Sequence, residues 1–374
     1  MKSFTLQLET VTPLFLSGAN ARGAPELRPP AFRGALRYWL RAALAEPDLK
    51  KLHEAESAVF GSAANEGDAG PKGQASAVTV RISPGYQLKP PNKVTDLNPN
   101  TGYGYLYWAL AESGEEENYL GSKQYFQPGT QFKLTLTARS SNNEKSLKQA
   151  ATAAWLLIRL GGVGACSRRL AGNLQVLQEP TGSYDGPKIL SSASSLGEVV
   201  KELKAGLHGI WEIMEKRNSD PQPMPEYDAL LPNHFRVWVL GEWSTVRAAQ
   251  DALGRALKEA RKNIALDQRA LFGLPAQNIV LTAKPNRQTK IDRRASPLWL
   301  TVAPLRNSER CVVVATLFKS RFLPNGTQLD LSSKVMVQRQ TTRQTMTQPA
   351  PINYAPIETW LSGFSNSQEV TYGD

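Results

Sequence analysis

The sequence has few of the residues that form covalent cross-links or metal sites. Its 374 residues include two cysteines and three histidines. Cys166 and Cys311 lie far apart, and neither a Cys-x-x-Cys nor a His-x-x-x-His spacing accompanies them. Disulfides, structural zinc and other cofactors are therefore not expected, and a reducing cytoplasm is the expected compartment.

Long apolar segments are missing as well. No apolar run reaches the roughly 18 residues that a membrane-spanning helix requires. The segment after Met1 also lacks the apolar core of a signal peptide. We therefore expect no membrane partner.

Motifs of nucleotide binding and catalysis are also missing. Gly162-x-Gly164 has no third glycine at the dinucleotide-binding spacing and no following Lys-Ser/Thr, so neither a Rossmann fingerprint nor a P-loop is present. No aspartate occurs between Met1 and Pro47, and Glu26 is the only carboxylate in the loop after the first strand. The histidines lie in three unrelated contexts: His53, His208 and His234. The sequence therefore predicts that the chain is not an enzyme.

Positive charge, in contrast, is abundant. Lysine and arginine number 44 against 33 aspartates and glutamates, which gives a formal net charge of +11 and a pI near 9.6. The segment 284–343 alone contains twelve basic and three acidic residues, a net charge of +9. This bias favours a polyanionic partner, and nucleic acid fits best. Charge alone leaves one alternative open, a scaffold protein that binds acidic protein partners.

Hydrophobic periodicity divides the first half of the chain into strands and helices. Strands are expected at 3–12, 78–82, 132–136 and 174–177, and helices at 32–44 and 145–160. Residues 83–128, rich in proline, asparagine and tyrosine, are interpreted as an irregular insertion. The resulting order, βαββαβ, is the ferredoxin-like plan.

A second set of elements follows. Apolar residues from Leu196 to Met214 keep helical spacing, and three prolines between Asp220 and Pro225 mark a linker. Beyond the linker, the pattern predicts a strand at 235–239, a helical region at 244–271 and strands at 279–283, 298–302 and 311–317. We therefore predict an α+β protein of two tandem ferredoxin-like (RRM-like) domains with insertions, at 1–180 and 226–374, joined by a bridging helix and linker at 181–225.

Three blocks of sequence resemble one protein family. The first reads TPLFLSGA at 12–19 and ELRPPAFRGALRYW at 26–39, the second GGVGACSRR at 161–169, and the third RRASPL at 293–298. In this order they resemble blocks of the RAMP superfamily and, within it, the family of first subunits of type III-B (Cmr) CRISPR complexes. That family usually has an arginine where Cys166 stands and Gly-aromatic-Gly where Leu170-Ala171-Gly172 stands.

The resemblance implies a fold, a role and partners. It implies a tandem pair of ferredoxin-like folds that contacts the 3′ part of the guide RNA, target RNA and other type III CRISPR effector subunits, without catalysis. A guide-binding subunit must hold many sequences, so phosphate and 2′-hydroxyl contacts and base stacking are expected instead of base-edge readout. The alternative is an endoribonuclease of the same superfamily, which processes guides or cuts target RNA.

The blocks supply the candidate RNA contacts. Glycine-rich turns bring backbone N–H groups close to phosphates, and arginines neutralise their charge. The candidate RNA-binding residues are Arg22, Arg28, Arg33, Arg37, Arg41, Gly161, Gly162, Gly164, Ser167, Arg168, Arg169, Arg293 and Arg294. We expect Arg168 and Arg169 on a polar turn outside either core. We also expect Glu26 to be ion-paired with the arginines that flank it, Arg22 and Arg28.

Each of these features has a purely structural alternative. The glycines at 161–164 would also suit a helix C-cap. The arginines spaced by four, Arg33, Arg37 and Arg41, would also suit a solvated helix face. The aromatics at nearly alternate positions are more typical of a strand core than of a stacking platform: Tyr103, Tyr105, Tyr107 and Trp108.

Overall fold

The structure, a computed structural model, describes residues 1–21, 23–63, 73–85, 89, 91–93, 97–98, 100–111, 123–215, 223–274, 279–282, 294–321, 323, 328–337, 340–349 and 353–370. Within these residues, the chain forms two groups of elements on either side of residues 216–222. The helices described there include none long and apolar enough to cross a membrane.

The first group contains helices and mainly short strands. Its elements are β1 (Ser3–Thr10), α1 (Pro29–Leu44), α2 (Leu49–Phe60), β2 (Val78–Pro84), β3 (Asn92–Lys93), α3 (Gly102–Tyr107), β4 (Gln124–Tyr125), β5 (Gln131–Ala138), α4 (Glu144–Leu160), β6 (Leu174–Val176), β7 (Thr181–Gly182) and α5 (Leu196–Ile213). The strands expected at 3–12, 78–82, 132–136 and 174–177 are confirmed to within a few residues, as is the helix at 145–160.

One antiparallel sheet organises this group. Its strands are ordered β2-β5-β1-β6, and β7 also pairs with β1. Alternation along β1 buries Phe4, Leu6 and Leu8 in the same core cluster as α1 and α4, and leaves Thr5 and Gln7 half-buried on the other face. One face of this sheet is therefore apolar and covered by helices, whereas the opposite face is polar.

The helices near the N-terminus differ from expectation. α1 begins at Pro29, earlier than the expected Phe32, because the prolines at its first two positions have a fixed φ that suits a helix and need no N–H partner there. α2 was not expected. It begins after Asp48, whose carboxylate accepts hydrogen bonds from the N–H groups of Lys50 and Lys51 at 2.8 and 3.2 Å.

The insertion also contains a helix. The strand interpretation of the tyrosines at 103–107 is wrong, because these residues form α3. The Thr101 hydroxyl caps this helix by accepting a hydrogen bond from the N–H of Gly104 at 3.0 Å. A helical backbone places the tyrosines around an axis, so they do not line one strand face.

The second group contains mainly strands. Its elements are β8 (Phe235–Trp243), α6 (Val246–Asn263), β9 (Ile279–Thr282), β10 (Leu298–Pro304), β11 (Cys311–Phe318), β12 (Gln328–Val337), β13 (Gln340–Pro349), α7 (Ala355–Ser362) and β14 (Gln368–Glu369). One antiparallel sheet has the order β10-β11-β8-β14, and a separate sheet has the order β13-β12-β9. The expected strands are confirmed, but the helix ends at Asn263 and a short 3-10 helix follows at Gln268–Phe272.

The two groups share their hydrophobic cores. Successive residues of β8 alternate between two core clusters: Val237 and Val239 join the cluster that contains α4 and α5, and Trp238 and Leu240 join the cluster that contains α6 and α7. Every residue of β11 is buried. The second sheet is therefore covered on both faces, by its own helices and by those of the first group.

Candidate nucleic-acid interface

The three sequence blocks meet at one buried carboxylate. Asp228, 5% exposed, accepts hydrogen bonds from the Tyr38 hydroxyl at 2.7 Å and the Ser320 hydroxyl at 2.8 Å. Guanidinium nitrogens of Arg168 and Arg294 lie 3.3 and 3.8 Å from its two oxygens. Tyr38 comes from the first block, Arg168 from the second and Arg294 from the third. The blocks thus converge in space, at the junction between the two groups of elements.

The surroundings of Arg168 differ from expectation. Its guanidinium stacks over the rings of Trp299 and Tyr38, 4.5 and 5.3 Å from their centroids, and donates to the carbonyl of Ser296. Its side chain is only 17% exposed. The expectation that Arg168 lies on a polar turn outside either core is wrong, because Asp228 neutralises its charge inside the junction. RNA contact by Arg168 or Arg294 stays a prediction.

The arginines of α1 separate into two kinds. Arg37 and Arg41 both bind the carboxylate of Glu56 on α2, whose side chain is 4% exposed, and the Arg41 contact measures 2.8 Å. Their charge therefore balances a buried acid, a role that neither sequence interpretation included. Arg33 has a buried Nε with no hydrogen-bond partner, and Arg28 precedes the helix as an exposed residue. RNA contact by any of the four stays a prediction.

The glycine-rich loop follows α4 and combines buried and exposed positions. Gly161 and Gly162 are buried, and the Gly161 carbonyl accepts hydrogen bonds from Asn173 and Thr301 at 3.1 Å each. Gly164 is exposed with a φ of +87°, and a Cβ there would collide with the carbonyl of Phe15. The turn therefore requires glycine where it packs on the loop after β1.

The end of this loop carries a second arginine. Ser167 and Arg169 are half-buried, and Cys166 adopts a left-handed φ of 58°. Burial raises the pKa of the Cys166 thiol. Burial and then the nearby Arg261 guanidinium lower the pKa of Arg169. Among the described residues, no carboxylate pairs with Arg169.

A basic and aromatic surface that sequence reasoning missed lies where α3, α6 and the glycine-rich loop meet. The Arg247 guanidinium lies over the Tyr103 ring, 3.2 Å from its centroid. Arg261 donates to the Tyr105 hydroxyl at 3.3 Å. We call Tyr103, Tyr105, Arg169, Arg247 and Arg261 the α3–α6 patch. The sequence signals for it were Arg169, a candidate RNA contact, and the tyrosines, which were interpreted as a strand.

Buried hydrogen bonds hold these three segments together. The Tyr107 hydroxyl donates to the carbonyl of Leu170 at 2.7 Å, and Gln250 of α6 donates both to that hydroxyl at 2.8 Å and to the same carbonyl at 3.1 Å. All three groups are buried, so a hydrogen bond lost here is not replaced by one to water.

The remaining candidates fall into two sets. Arg22 and Arg293 lie outside the described residues. Glu26 is exposed, and the described part of the chain contains no ion pair between it and Arg28, so that expectation is wrong for Arg28. Among the described residues, no group of three His, Cys, Asp or Glu side chains is arranged to hold a metal ion.

Comparison with known proteins identifies the family. A profile of the RAMP superfamily matches residues 7–174. The curated "CRISPR system Cmr subunit Cmr1-1" of Pyrococcus furiosus is 28% identical over 329 residues, which cover 85% of this chain and 88% of that protein. "CRISPR system Cmr subunit Cmr1-2" of the same organism is 30% identical over 185 residues, 45% of this chain and 92% of that protein.

These matches show that the chain belongs to the RAMP superfamily. Within that superfamily it belongs to the type III-B Cmr1 family, so the resemblance of the three blocks is confirmed.

Two solved structures share the fold. The crystal structure of Cmr1 from Pyrococcus furiosus in its apo form aligns over 100% of both chains, with a TM-score of 0.61 and 23% identity. A chain of a Type III-B Cmr-beta cryo-EM structure, bound to cognate target RNA, aligns over 85% of this chain and 96% of that chain, with a TM-score of 0.51 and 12% identity. Both support a mixed helix-and-sheet fold with antiparallel sheets.

Proposed function

We propose that this chain is a non-catalytic RNA-binding subunit of a type III CRISPR RNA-guided effector complex, acting in the cytoplasm in antiviral defence. It contacts the 3′ part of the guide RNA, target RNA or both, and it contacts other effector subunits. The observation that carries the proposal is the exposed glycine turn at Gly164, which packs on the loop after β1 and precedes an Arg169 that no described carboxylate neutralises.

Charge and family membership support the proposal. The net charge of +11 favours a polyanion, and the relatives named above are Cmr subunits of a CRISPR system. Of the candidate residues, we propose Arg28, Arg33, Gly164, Ser167 and Arg169 as RNA contacts. The candidates that are buried or whose side chains or carbonyls have internal partners are proposed to shape the RNA-binding surface: Arg37, Arg41, Gly161, Gly162, Arg168 and Arg294.

We also propose the tandem ferredoxin-like arrangement, with domains at 1–180 and 226–374 and a bridge at 181–225. Support comes from connectivity. The first group runs β1-α1-β2-β5-α4-β6 and the second β8-α6-β10-β11-α7-β14, and in both the strands lie side by side in the order second, third, first, fourth.

Binding to unrelated RNAs tests the function. We expect fluorescence anisotropy with two labelled single-stranded RNAs of equal length and different sequence to give dissociation constants within a few fold. Affinity is expected to fall steeply between ~50 and ~200 mM salt, because phosphate contacts release counterions. A hundredfold difference between the sequences, or no response to salt, would contradict sequence-tolerant binding.

The nuclease alternative can be tested at Glu26. Glu26 is exposed in the loop after β1 and forms no ion pair with Arg28. A carboxylate in that place can hold a metal near a phosphate. Supplying end-labelled target RNA to the assembled complex with Glu26→Ala in this subunit decides the matter. We expect the cleavage pattern to be unchanged, whereas loss of one discrete cut would make Glu26 catalytic.

A further inference from the structure

The α3–α6 patch concentrates positive charge. Among the described residues, none of its three arginines pairs with a carboxylate: Arg169, Arg247 and Arg261. Elsewhere on α6, in contrast, Arg255 and Lys262 pair with Asp251 and Glu259. Like charges held together this way attract an anion.

The patch also offers a flat surface. Arg247 is exposed, and its guanidinium lies 3.2 Å from the centroid of the Tyr103 ring. Tyr107, fully buried, packs edge-on against that ring at 4.9 Å and so fixes its orientation. A guanidinium plane supported by an aromatic ring is a surface on which nucleic-acid bases stack.

Close backbone packing fixes this geometry. A Cβ on Gly254 of α6 would collide with the carbonyl of Gly102, the first residue of α3. The Asp251 carboxylate accepts hydrogen bonds from the N–H groups of Gly102 and Tyr103 at 2.8 and 3.2 Å, which anchors the start of α3 to α6. The tyrosines are therefore presented by a short helix that is fixed to the helix carrying the arginines.

The length of the patch suits a nucleic-acid strand. Arg247 and Arg261 lie fourteen residues apart on one helix, so their Cα atoms are about 21 Å apart at 1.5 Å per residue. Arg169 lies near Arg261, whose guanidinium charge, after burial, helps to lower the pKa of Arg169. One end of the patch therefore has two close charges, and the other has the stacking plane.

We propose that the α3–α6 patch binds a short segment of single-stranded RNA, in which Arg169 and Arg261 hold phosphates and a base stacks on the guanidinium plane of Arg247. This inference rests on the proposed RNA-binding function and adds a site and a mode of contact. An acidic protein segment would satisfy the charges but would leave the plane of Arg247 unused. The first group's sheet does not compete for stacking, because the outward-facing positions of its described strands β1, β2 and β5 include no aromatic residue.

Two sets of variants separate the proposed phosphate contacts from the proposed stacking contact. Arg169→Gln with Arg261→Gln removes both proposed phosphate contacts. We expect about tenfold weaker binding of a labelled 12-nucleotide RNA at low salt, and a plot of log affinity against log salt that is flatter by about 1.4, at about 0.7 per single-strand phosphate contact. Arg247→Lys keeps the charge but removes the plane. It should leave the salt slope unchanged.

An abasic oligonucleotide of the same length isolates stacking. We expect the wild-type chain to bind it on the order of tenfold more weakly than the normal RNA, because a stacked base contributes substantially to affinity. Arg247→Lys should bind both ligands alike. Arg255→Gln is the matched control, since this exposed α6 arginine is already paired with Asp251. It should behave as wild type in every assay, and thermal melts confirm that all variants fold.

The outcomes distinguish this proposal from the function on which it rests. If the wild-type chain binds no RNA, the proposed function fails, and this inference fails with it. If the wild type binds but the patch variants bind as tightly, only the α3–α6 patch is refuted. A polyglutamate peptide that displaces RNA at equal charge concentration would also refute it, by showing a site for acidic protein.

The assembled complex identifies the strand. Ultraviolet cross-linking with label on the guide or on the target should yield an adduct within Gly102–Tyr107, on α6 or beside Arg169 for one of them. An adduct with either strand supports the proposal. Adducts confined to other parts of this subunit would overturn it.

Discussion

Replacing Asp228 with alanine should be among the most destabilising single changes in this chain. The carboxylate is 5% exposed and lies between two arginines and two hydroxyl donors contributed by four segments of the chain. Alanine would remove the carboxylate that lies against Arg168 and Arg294. It would also leave the Tyr38 and Ser320 hydroxyls without their acceptor.

The magnitude follows from these contacts. A hydrogen bond to a charged group contributes about 1.5–3 kcal/mol, and two neutral donors point at Asp228. The side chains of Arg168 and Arg294 are 17% and 26% exposed, so water can partly solvate them once the carboxylate is gone. We therefore expect a loss of about 3–5 kcal/mol, the range for breaking a buried ion pair. That is a large part of the roughly 5–15 kcal/mol by which a protein is usually stable.

Urea unfolding followed by circular dichroism and tryptophan fluorescence measures this loss. Glu226→Ala is the matched control, because Glu226 lies two residues earlier and pairs with Arg321 at 2.7 Å, with side chains 55% and 35% exposed. A surface pair of this kind contributes about 0–1 kcal/mol. If Asp228→Ala costs no more than Glu226→Ala, the junction does not hold the two groups together and the reasoning is wrong.

Three further changes have expected outcomes. Gly254→Ala should lower the free energy of unfolding by about 1–3 kcal/mol in urea titrations and expose α3 to proteases, because its Cβ would collide with the Gly102 carbonyl. Tyr107→Phe should cost about 1–3 kcal/mol in the same assay, since the buried partners of its hydroxyl lose that group. Burial opposes ionisation of Glu202, yet hydrogen bonds from two serines and the charge of Arg159 outweigh it and lower the pKa of the Glu202 carboxyl. Wild type should therefore be more stable than Glu202→Gln above pH 4.5, and acid titrations should show that difference disappearing as the pH falls further.

Sequence periodicity predicted part of the regular structure. β1 alternates apolar and polar residues because one face of its sheet is buried, and α4 has a continuous apolar stripe that ends at two glycines. The sequence predicted β1, β2, β5, β6 and β8 to β11, but it did not predict β12, β13, α7 or β14. It did not predict α2, whose start depends on the single side chain of Asp48.

The candidate site was less predictable, because the role of an arginine depends on partners that are distant in sequence. Arg168 and Asp228 are 60 residues apart, and Arg37 binds Glu56, which lies on a helix that was not expected. The α3–α6 patch required the approach of Gly102 to Gly254, 152 positions away. Blocks that resemble a family locate such residues but do not distinguish a structural arginine from one that contacts RNA.

The sheet of β8, β10 and β11 is covered on both faces, and this determines where the proposed RNA contacts can occur. In an RRM, RNA stacks on the open face of the sheet, but here β8, β10 and β11 pack against α4 and α5 on that side and α6 on the other. Burying both faces joins the two groups into shared cores and leaves β8, β10 and β11 without an open face. RNA contacts are therefore expected at the rim, where the glycine-rich loop, α3 and α6 meet.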